Sequence, residues 1–412
     1  MALPFFSIDF KTKDWTSFIG GVFGLRSRIK QEFFLTELLK KRFPEKKVIL
    51  FPSARMAFYF VLKNTFEAED EVIFPVMGFP LYVKIALQLN LNPKFVDVEK
   101  EHLNINVDKL EESISKNTKG IVITHLFGYP CNMDKVMEIA DKYNIPVIED
   151  CAQSYDSFYK GKETGTFGYA GIFSCSLMKV PTTLGGGILL TENESLITEI
   201  NKDLMKGQFN DSVAFKIKNF IKIFISILNS YPALYSLLSH SIFGFIKKRN
   251  PTTLRKILYS GMGLLSNKYD EWERPRLSNY QLSVGKSQFI RSSEMTKIRK
   301  SYSKLLNDEL FGNDKFKLFI DDDNDDDIYW NCQYYVISVK DNMNEFYDQM
   351  FKNGFHLMKE DVWDCSDYDF SRDIKGNFSV AKEYNHTLIR IPNSSFLSKN
   401  DILRMTNIMN SL

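Results

Sequence analysis

Two side chains sit where packing alone would not place them. Asp150 ends the apolar run Pro146-Val147-Ile148-Glu149-Asp150. Lys179 lies between the strand-like Gly171-Ile172-Phe173-Ser174 and the glycine-rich Gly185-Gly186-Gly187 that leads into Ile188-Leu189-Leu190-Thr191. A third feature is Ser53-Ala54-Arg55, which opens a predicted helix whose first N–H groups and dipole favour an anion. Each has an ordinary explanation: Asp150 as a cap or a loop hydrogen bond, Lys179 as a loop lysine with its ammonium in water, the glycines as a turn, Arg55 as a surface salt bridge. Together they make a different chemistry available. An amine that can condense with an aldehyde, a carboxylate that keeps a ring nitrogen protonated and donors for a phosphate are what a covalently held pyridoxal cofactor requires.

The elements that must position these residues are legible from about Lys47 to Thr191. Val48–Phe51, Glu71–Phe74, Lys94–Val98, Gly120–Thr124 and Pro146–Asp150 are short, apolar and β-branched, and are predicted strands. Between them Arg55–Lys63, Pro80–Leu89 and Met133–Tyr143 are predicted helices. Near-continuous apolar strands imply a mainly parallel sheet covered on both faces, hence an α/β domain, and functional groups in such sheets gather where strands end. Further on, Leu282–Leu306 predicts one long helix. Tyr334–Val339 with helices around Glu345–Asn353 and Lys399–Asn410 predicts a smaller α+β domain. The expected division is 1–206, 207–270 and 271–412.

Composition narrows the class. Lys plus Arg total 53 against 51 acidic residues in 412, a net charge of +2, which gives no general attraction to nucleic acid. Five scattered cysteines form neither a CxxC pair nor a secretory framework, and Met1-Ala2-Leu3-Pro4-Phe5-Phe6 lacks a signal-peptide pattern. A cytoplasmic location is expected. Asp321–Asp327 resembles a calcium loop only in charge, so it predicts a solvated loop and no metal.

The order of motifs resembles the sugar aminotransferases of the DegT/DnrJ/EryC1/StrS type, within the fold-type-I pyridoxal-phosphate enzymes. The resemblance rests on Phe51–Arg55, Asp70–Pro75 continuing to Phe79, Phe95–Val98, Thr124–Gly128, Val147–Gln153, Gly165–Gly168, and Phe173-Ser174 with Lys179. It implies a large cofactor-binding α/β domain, a smaller C-terminal domain and a homodimer with active sites at the subunit interface. It further implies that Asp150 pairs with the pyridine nitrogen, Lys179 is the Schiff-base lysine, Gln153 lies near the phenolic oxygen and Phe79 stacks on the ring. Ser53, Ala54 and Ser174 are implied as phosphate contacts, with Arg55 adding charge. The implied reaction moves an amine from an amino acid, glutamate by analogy, to a keto-sugar on a nucleotide or lipid carrier, for a surface glycan. A relative dehydrates sugars with histidine in place of the lysine. Retention of Lys179 therefore favours amino transfer over dehydration or C–C cleavage, and over a non-catalytic membrane-peripheral protein on the same fold.

Three departures from the family pattern stand out. Arg274 occupies the place of an asparagine that reaches the neighbouring subunit's cofactor phosphate, Gly185 replaces an acidic residue, and Met358–Trp363 replaces a histidine-rich substrate loop. The 207–270 stretch is an insertion whose apolar core, Phe215–Ile246, is interrupted at Asn229–Pro232 and rimmed by lysines. Its composition predicts either peripheral contact with the inner face of a membrane or a helical hairpin packed on the enzyme, rather than a span.

Overall fold

The structure, a computed structural model, describes residues 1–4, 7–206, 213–250, 276–319 and 327–412. An N-terminal arm carries α1 (Thr12–Val22) and α2 (Arg28–Arg42). There follow β1 (Lys47–Phe51), α3 (Ala54–Thr65), β2 (Glu71–Pro75), α4 (Pro80–Gln88), β3 (Asn92–Val96), α5 (Val107–Ser113), β4 (Thr118–Thr124), α6 (Met133–Tyr143) and β5 (Val147–Asp150). A small antiparallel pair, β6 (Phe158–Tyr159) and β7 (Lys162–Glu163), precedes β8 (Ala170–Ser174), β9 (Gly187–Thr191) and α7 (Glu194–Lys206). These strands form a seven-stranded sheet in the order β1-β9-β8-β5-β4-β2-β3, in which β9 alone runs against the rest. The expected strands and helices of this region appear within a few residues of their predicted ends.

Both faces of the sheet are covered, as its apolar strands require. Phe74, Val122, Ile148, Ile172 and Leu189 share one buried cluster with the inner side of α3, while Ile73, Ile121, Ile123 and Val147 share another with α6. Reversal at β9 makes β8, the Lys179 loop and β9 one connected antiparallel unit. The β5 and β8 ends then lie side by side, with Asp150 paired to Ile172.

The second half contains a four-stranded antiparallel sheet, β10-β12-β14-β13, built from Phe316–Leu318, Tyr335–Val339, Leu388–Ile391 and Met358–Lys359. The remaining strand, β11 (Ile328–Tyr329), joins β6 and β7. The helix expected over Leu282–Leu306 is instead two, Asn279–Ile290 and Ser292–Leu310. Arg291 breaks it: its backbone leaves helical geometry (φ −109°, ψ 10°) and its guanidinium is held by buried Asp9 and Asp14 of the N-terminal arm. Periodicity could not reveal that anchor, because the partners are some 280 residues away in sequence.

In the insertion, α8 (Val213–Asn229) ends at a break. A short α9 (Pro232–Leu234) then passes through a π-helical turn, Tyr235–His240, into α10 (Ser241–Arg249). Among the described residues no single helix is long and apolar enough to cross a membrane; the pair Phe220–Asn229 and Pro232–Arg249 is so only when joined across a 93° bend.

Candidate active site

Asp150 is the last residue of β5 and is buried. One carboxylate oxygen accepts the Ala152 N–H at 3.0 Å and the other faces the Thr124 hydroxyl at 3.4 Å. Burial pushes its pKa up to about 6, against weaker opposing effects of the Ala152 N–H, the Lys179 cation, His125 and Thr124. Among the described residues no Lys or Arg forms an ion pair with it. Its neighbour Glu149 is as deeply buried but differently employed. Glu149 accepts the N–H groups of Gly165, Phe167 and Gly168 at 2.7–2.8 Å and meets His125 Nε2 at 3.3 Å. Since His125 Nδ1 accepts the Cys131 N–H, Nε2 carries the proton toward Glu149. The Gly165-Thr166-Phe167-Gly168 motif is thus folded around Glu149 and braces the strand end that presents Asp150.

Lys179 lies in the loop between β8 and β9. That loop is stapled to Cys175, whose carbonyl accepts from the N–H groups of Thr183 and Gly185, and whose own N–H donates to Gly186. Gly185 and Gly186 have φ of +127° and +141°, where a Cβ would be strained, which is why the loop closes on glycines. The Lys179 ammonium donates to the Tyr334 hydroxyl at 2.9 Å and lies 4.8 Å from that ring's centroid. Lys179 is near enough to Asp150 to pull its pKa down.

The anion site is assembled by one close approach. Ser53 caps α3, its hydroxyl oxygen accepting the Met56 N–H at 3.1 Å, and Ala54 and Arg55 form the first turn, Arg55 half-buried. Ser174 ends β8 and pairs with Gly187 of β9. A Cβ on Gly187 would stand 2.4 Å from the Ala54 nitrogen, so only glycine lets β9 run under the start of α3. Ser53, Ala54 and Ser174 are therefore brought to one place. Gly187→Ala is expected to cost about 1–3 kcal/mol of stability through overpacking, read as a lowered midpoint in denaturant; an unchanged midpoint would mean that the α3 start is not held this way.

Phe79 is the N-cap residue of α4, with its ring 6.3 Å from that of Trp363 and 5.4 Å from that of Tyr82. Gln153 is buried; its Oε1 accepts the Phe127 N–H at 2.9 Å, which ties the turn after β5 to the turn after β4. Arg274 lies outside the described residues.

Of what faces Lys179 from the second half, the sequence singled out the Met358–Trp363 stretch but neither Tyr334 nor Arg390. Tyr334 is buried, with the Arg390 guanidinium 4.2 Å from its ring centroid, and Arg390 Nε pairs with Glu360 at 2.9 Å. The Trp363 indole N–H donates to Glu360. Burial raises the Tyr334 pKa, but the Lys179 and Arg390 cations and hydrogen bonds from Lys179 and Gln333 outweigh it and leave it lowered. Burial raises the Glu360 pKa against the pull of Arg390. This wall is fastened to the large sheet: Gly78 N–H donates to the Trp363 carbonyl at 3.0 Å and Cys365 N–H to that of Val76 at 2.8 Å. Arg390, a charge inside the apolar strand Leu388–Ile391, was the available signal, whereas Glu360 lies between Lys359 and Asp361 and gave none.

Residues 34–216 match the DegT/DnrJ/EryC1/StrS aminotransferase family. An uncharacterised protein of Methanocaldococcus jannaschii is 39% identical over 144 residues, 35% of this chain and 37% of that protein. A GDP-perosamine synthase of Escherichia coli O157:H7 is 39% identical over 127 residues, 31% and 35% of the two chains. A GDP-4-keto-6-deoxy-D-mannose 3-dehydratase of Yersinia pseudotuberculosis is 35% identical over 140 residues, 34% and 36%. The matched stretch spans little more than a third of these curated relatives. Two solved structures align over nearly everything: the sugar aminotransferase CalS13 from Micromonospora echinospora (TM-score 0.75, 18% identity, 99% of each chain) and Helicobacter pylori PseC, an aminotransferase involved in pseudoaminic acid biosynthesis (TM-score 0.76, 16% identity, 100% and 99%). At those identities they establish the fold, fold type I. The motifs for Asp150, Lys179 and the start of α3 all lie inside the stretch that is similar to the DegT/DnrJ/EryC1/StrS aminotransferase family.

Proposed function

We propose that the protein is a pyridoxal-phosphate-dependent aminotransferase that converts a keto-sugar, carried on a nucleotide or a lipid, into an amino-sugar for surface glycan synthesis, with glutamate as the amino donor. The observation that carries this reading is Asp150: a buried carboxylate raised to about 6 that forms no ion pair among the described residues, with Lys179 nearby. A protonated ring nitrogen would supply the missing cation. The donor set fits pyridoxal phosphate in its other parts, with the α3 start and Ser174 for the phosphate and Phe79 as a ring at the site's edge. When bound, the cofactor supplies an aldehyde for amine exchange and a ring that accepts electrons from the substrate carbon.

The chain's residues supply the rest. Asp150 would hold the ring nitrogen protonated, Lys179 would hold the cofactor covalently and, once displaced, move the proton between substrate and cofactor carbons. Ser53, Ala54, Arg55 and Ser174 would hold the phosphate, Gln153 would lie near the phenolic oxygen, and Arg274 would reach the partner's cofactor. We take Tyr334 as a positioning residue, because its hydroxyl accepts from the Lys179 ammonium. Tyr334→Phe is expected to lower turnover about 10–100-fold, the worth of a hydrogen bond to a charged group, and to shift the basic limb of the pH–rate profile; an unshifted profile would remove Tyr334 from this role.

The working unit is a homodimer, organised as 1–206, 207–270 and 271–412, on the cytoplasmic side of a membrane. Phe23, Leu25 and Ile29 on and between α1 and α2 are 74–77% exposed, an apolar surface suited to a second copy. The similarity to a dehydratase gives a second reading, against which Lys179 stands. Incubating the holoenzyme with a nucleotide-linked 4-keto-sugar and glutamate separates the two. An amino-sugar with 2-oxoglutarate supports amino transfer, whereas loss of water from the sugar with glutamate unconsumed would replace it with dehydration.

A further inference from the structure

The stretch 213–250 contains Lys216, Lys218, Lys222, Lys247, Lys248 and Arg249 and no Asp or Glu. Its helices are one-sided. On α8, Ile223 and Ile227 are buried in a cluster with Phe10 and Phe18 of the N-terminal arm and with Leu184 and Leu177 of the Lys179 loop. In the other direction Ile217, Ile221 and Ile225, spaced four apart, are 51–53% exposed. After the bend, Tyr235 is buried against His356, and Lys247 is tied to Asp348, while Leu238, Ile242 and Phe245 are 52–59% exposed. Lys218, Lys222, Lys248 and Arg249 are exposed beside these apolar side chains.

We infer that this face is a docking surface for an anionic phospholipid bilayer, lying in its interface rather than crossing it. The inner side of each helix is committed to the protein, so neither can be surrounded by lipid, and the 93° bend leaves no straight span. Outward apolar side chains whose charged neighbours within 213–250 are all cations suit the boundary where acyl chains meet anionic headgroups. A second copy of the chain is a poorer occupant. Across a two-fold axis this patch would meet itself, setting basic rim against basic rim with no acid from 213–250 to compensate. The apolar surface of α1 and α2 is different, since Glu32 and Glu37 accompany Arg28 and Lys40 there. Because α8 shares its buried cluster with Leu177 and Leu184, the Lys179 loop would sit about one helix diameter, roughly 10 Å, from the bilayer.

This inference does not depend on the transamination chemistry, and its test uses no substrate. The full-length protein is sedimented with phosphatidylcholine vesicles and with vesicles containing phosphatidylglycerol, at low and high salt. Binding only to the anionic vesicles, weakened by salt, is expected. Two double variants, Lys218→Glu with Lys222→Glu and Ile221→Asp with Leu238→Asp, should each weaken it at least about ten-fold. All four positions are exposed, and an unchanged circular dichroism melt certifies the fold. Equal binding to both vesicles, no binding, or variants that bind as the parent does while changing its mass in solution would overturn the inference, the last result assigning the face to contact between copies.

Discussion

Lys179→Ala is expected to lower amino transfer by at least about 10⁴-fold while leaving the apo-protein folded. The size follows from two tasks placed on one amine, covalent attachment and proton transfer, each worth about 10²–10⁴ where such groups are removed singly. Folding should be spared because Lys179 is only half-buried and its hydrogen bond goes to a hydroxyl rather than to a buried carboxylate. The activity of the variant with a small added amine is the informative control. Partial rescue would show that a missing amine is the defect. Activity within ten-fold of the parent would mean that the reaction does not pass through Lys179.

Asp150→Asn should separate function from stability in opposite directions. Turnover is expected to fall about 10³-fold, within the range for a positioned group that governs protonation. The apo-protein, however, should become more stable at neutral pH. A carboxyl whose pKa is raised from 3.8 to about 6 by burial is bound more tightly to its proton when folded. Its ionisation therefore opposes folding fully above pH 6. The penalty shrinks as pH falls from 6 and is gone below 3.8. At about 1.36 kcal/mol per pH unit the full cost is about 3 kcal/mol. Asparagine carries no such cost, so Asp150→Asn should raise the denaturant midpoint at pH 7–8 and match the parent near pH 4. A variant less stable than the parent at pH 8 would show that the carboxylate is satisfied by the protein itself. Pyridoxal phosphate should narrow the gap by stabilising the parent more than the variant, since only the parent offers the ring nitrogen an anion while both keep Lys179 and the phosphate contacts. An energetic cost at a site of chemistry is a trade of stability for function.

Much of the large domain could be read from local pattern. Its strands are short apolar runs, its helices carry caps such as Ser53 and Asn132, and Met133–Tyr143 begins and ends where predicted. Asp150 and Lys179 were visible because each is a charged residue in an apolar run. The wall opposite Lys179 was visible only in part, as the Met358–Trp363 stretch. Tyr334, Glu360 and Arg390 come from three separate strands or their ends, and nothing local says that they meet. The split at Arg291 had the same cause, an ion pair with Asp9 and Asp14 at the other end of the chain. Phe95-Val96-Asp97-Val98 was legible as a motif but not in its task. Asp97 accepts the N–H groups of Val380 and Ala381 and pairs with Lys109 at 3.1 Å, so it fastens the short helix Ser379–Tyr384 of the second half to the edge of the large sheet. The glycine run was legible as a turn, whereas the need for Gly187 is set by the Ala54 backbone 133 positions earlier.

Absorption spectroscopy of the purified protein with pyridoxal phosphate, parent against Lys179→Ala, before and after glutamate, tests the central claim most directly. A visible band that requires Lys179 and gives way to a near-ultraviolet band when glutamate is added is the predicted result. A parent spectrum indistinguishable from free cofactor, or a band equally strong in Lys179→Ala, would contradict it.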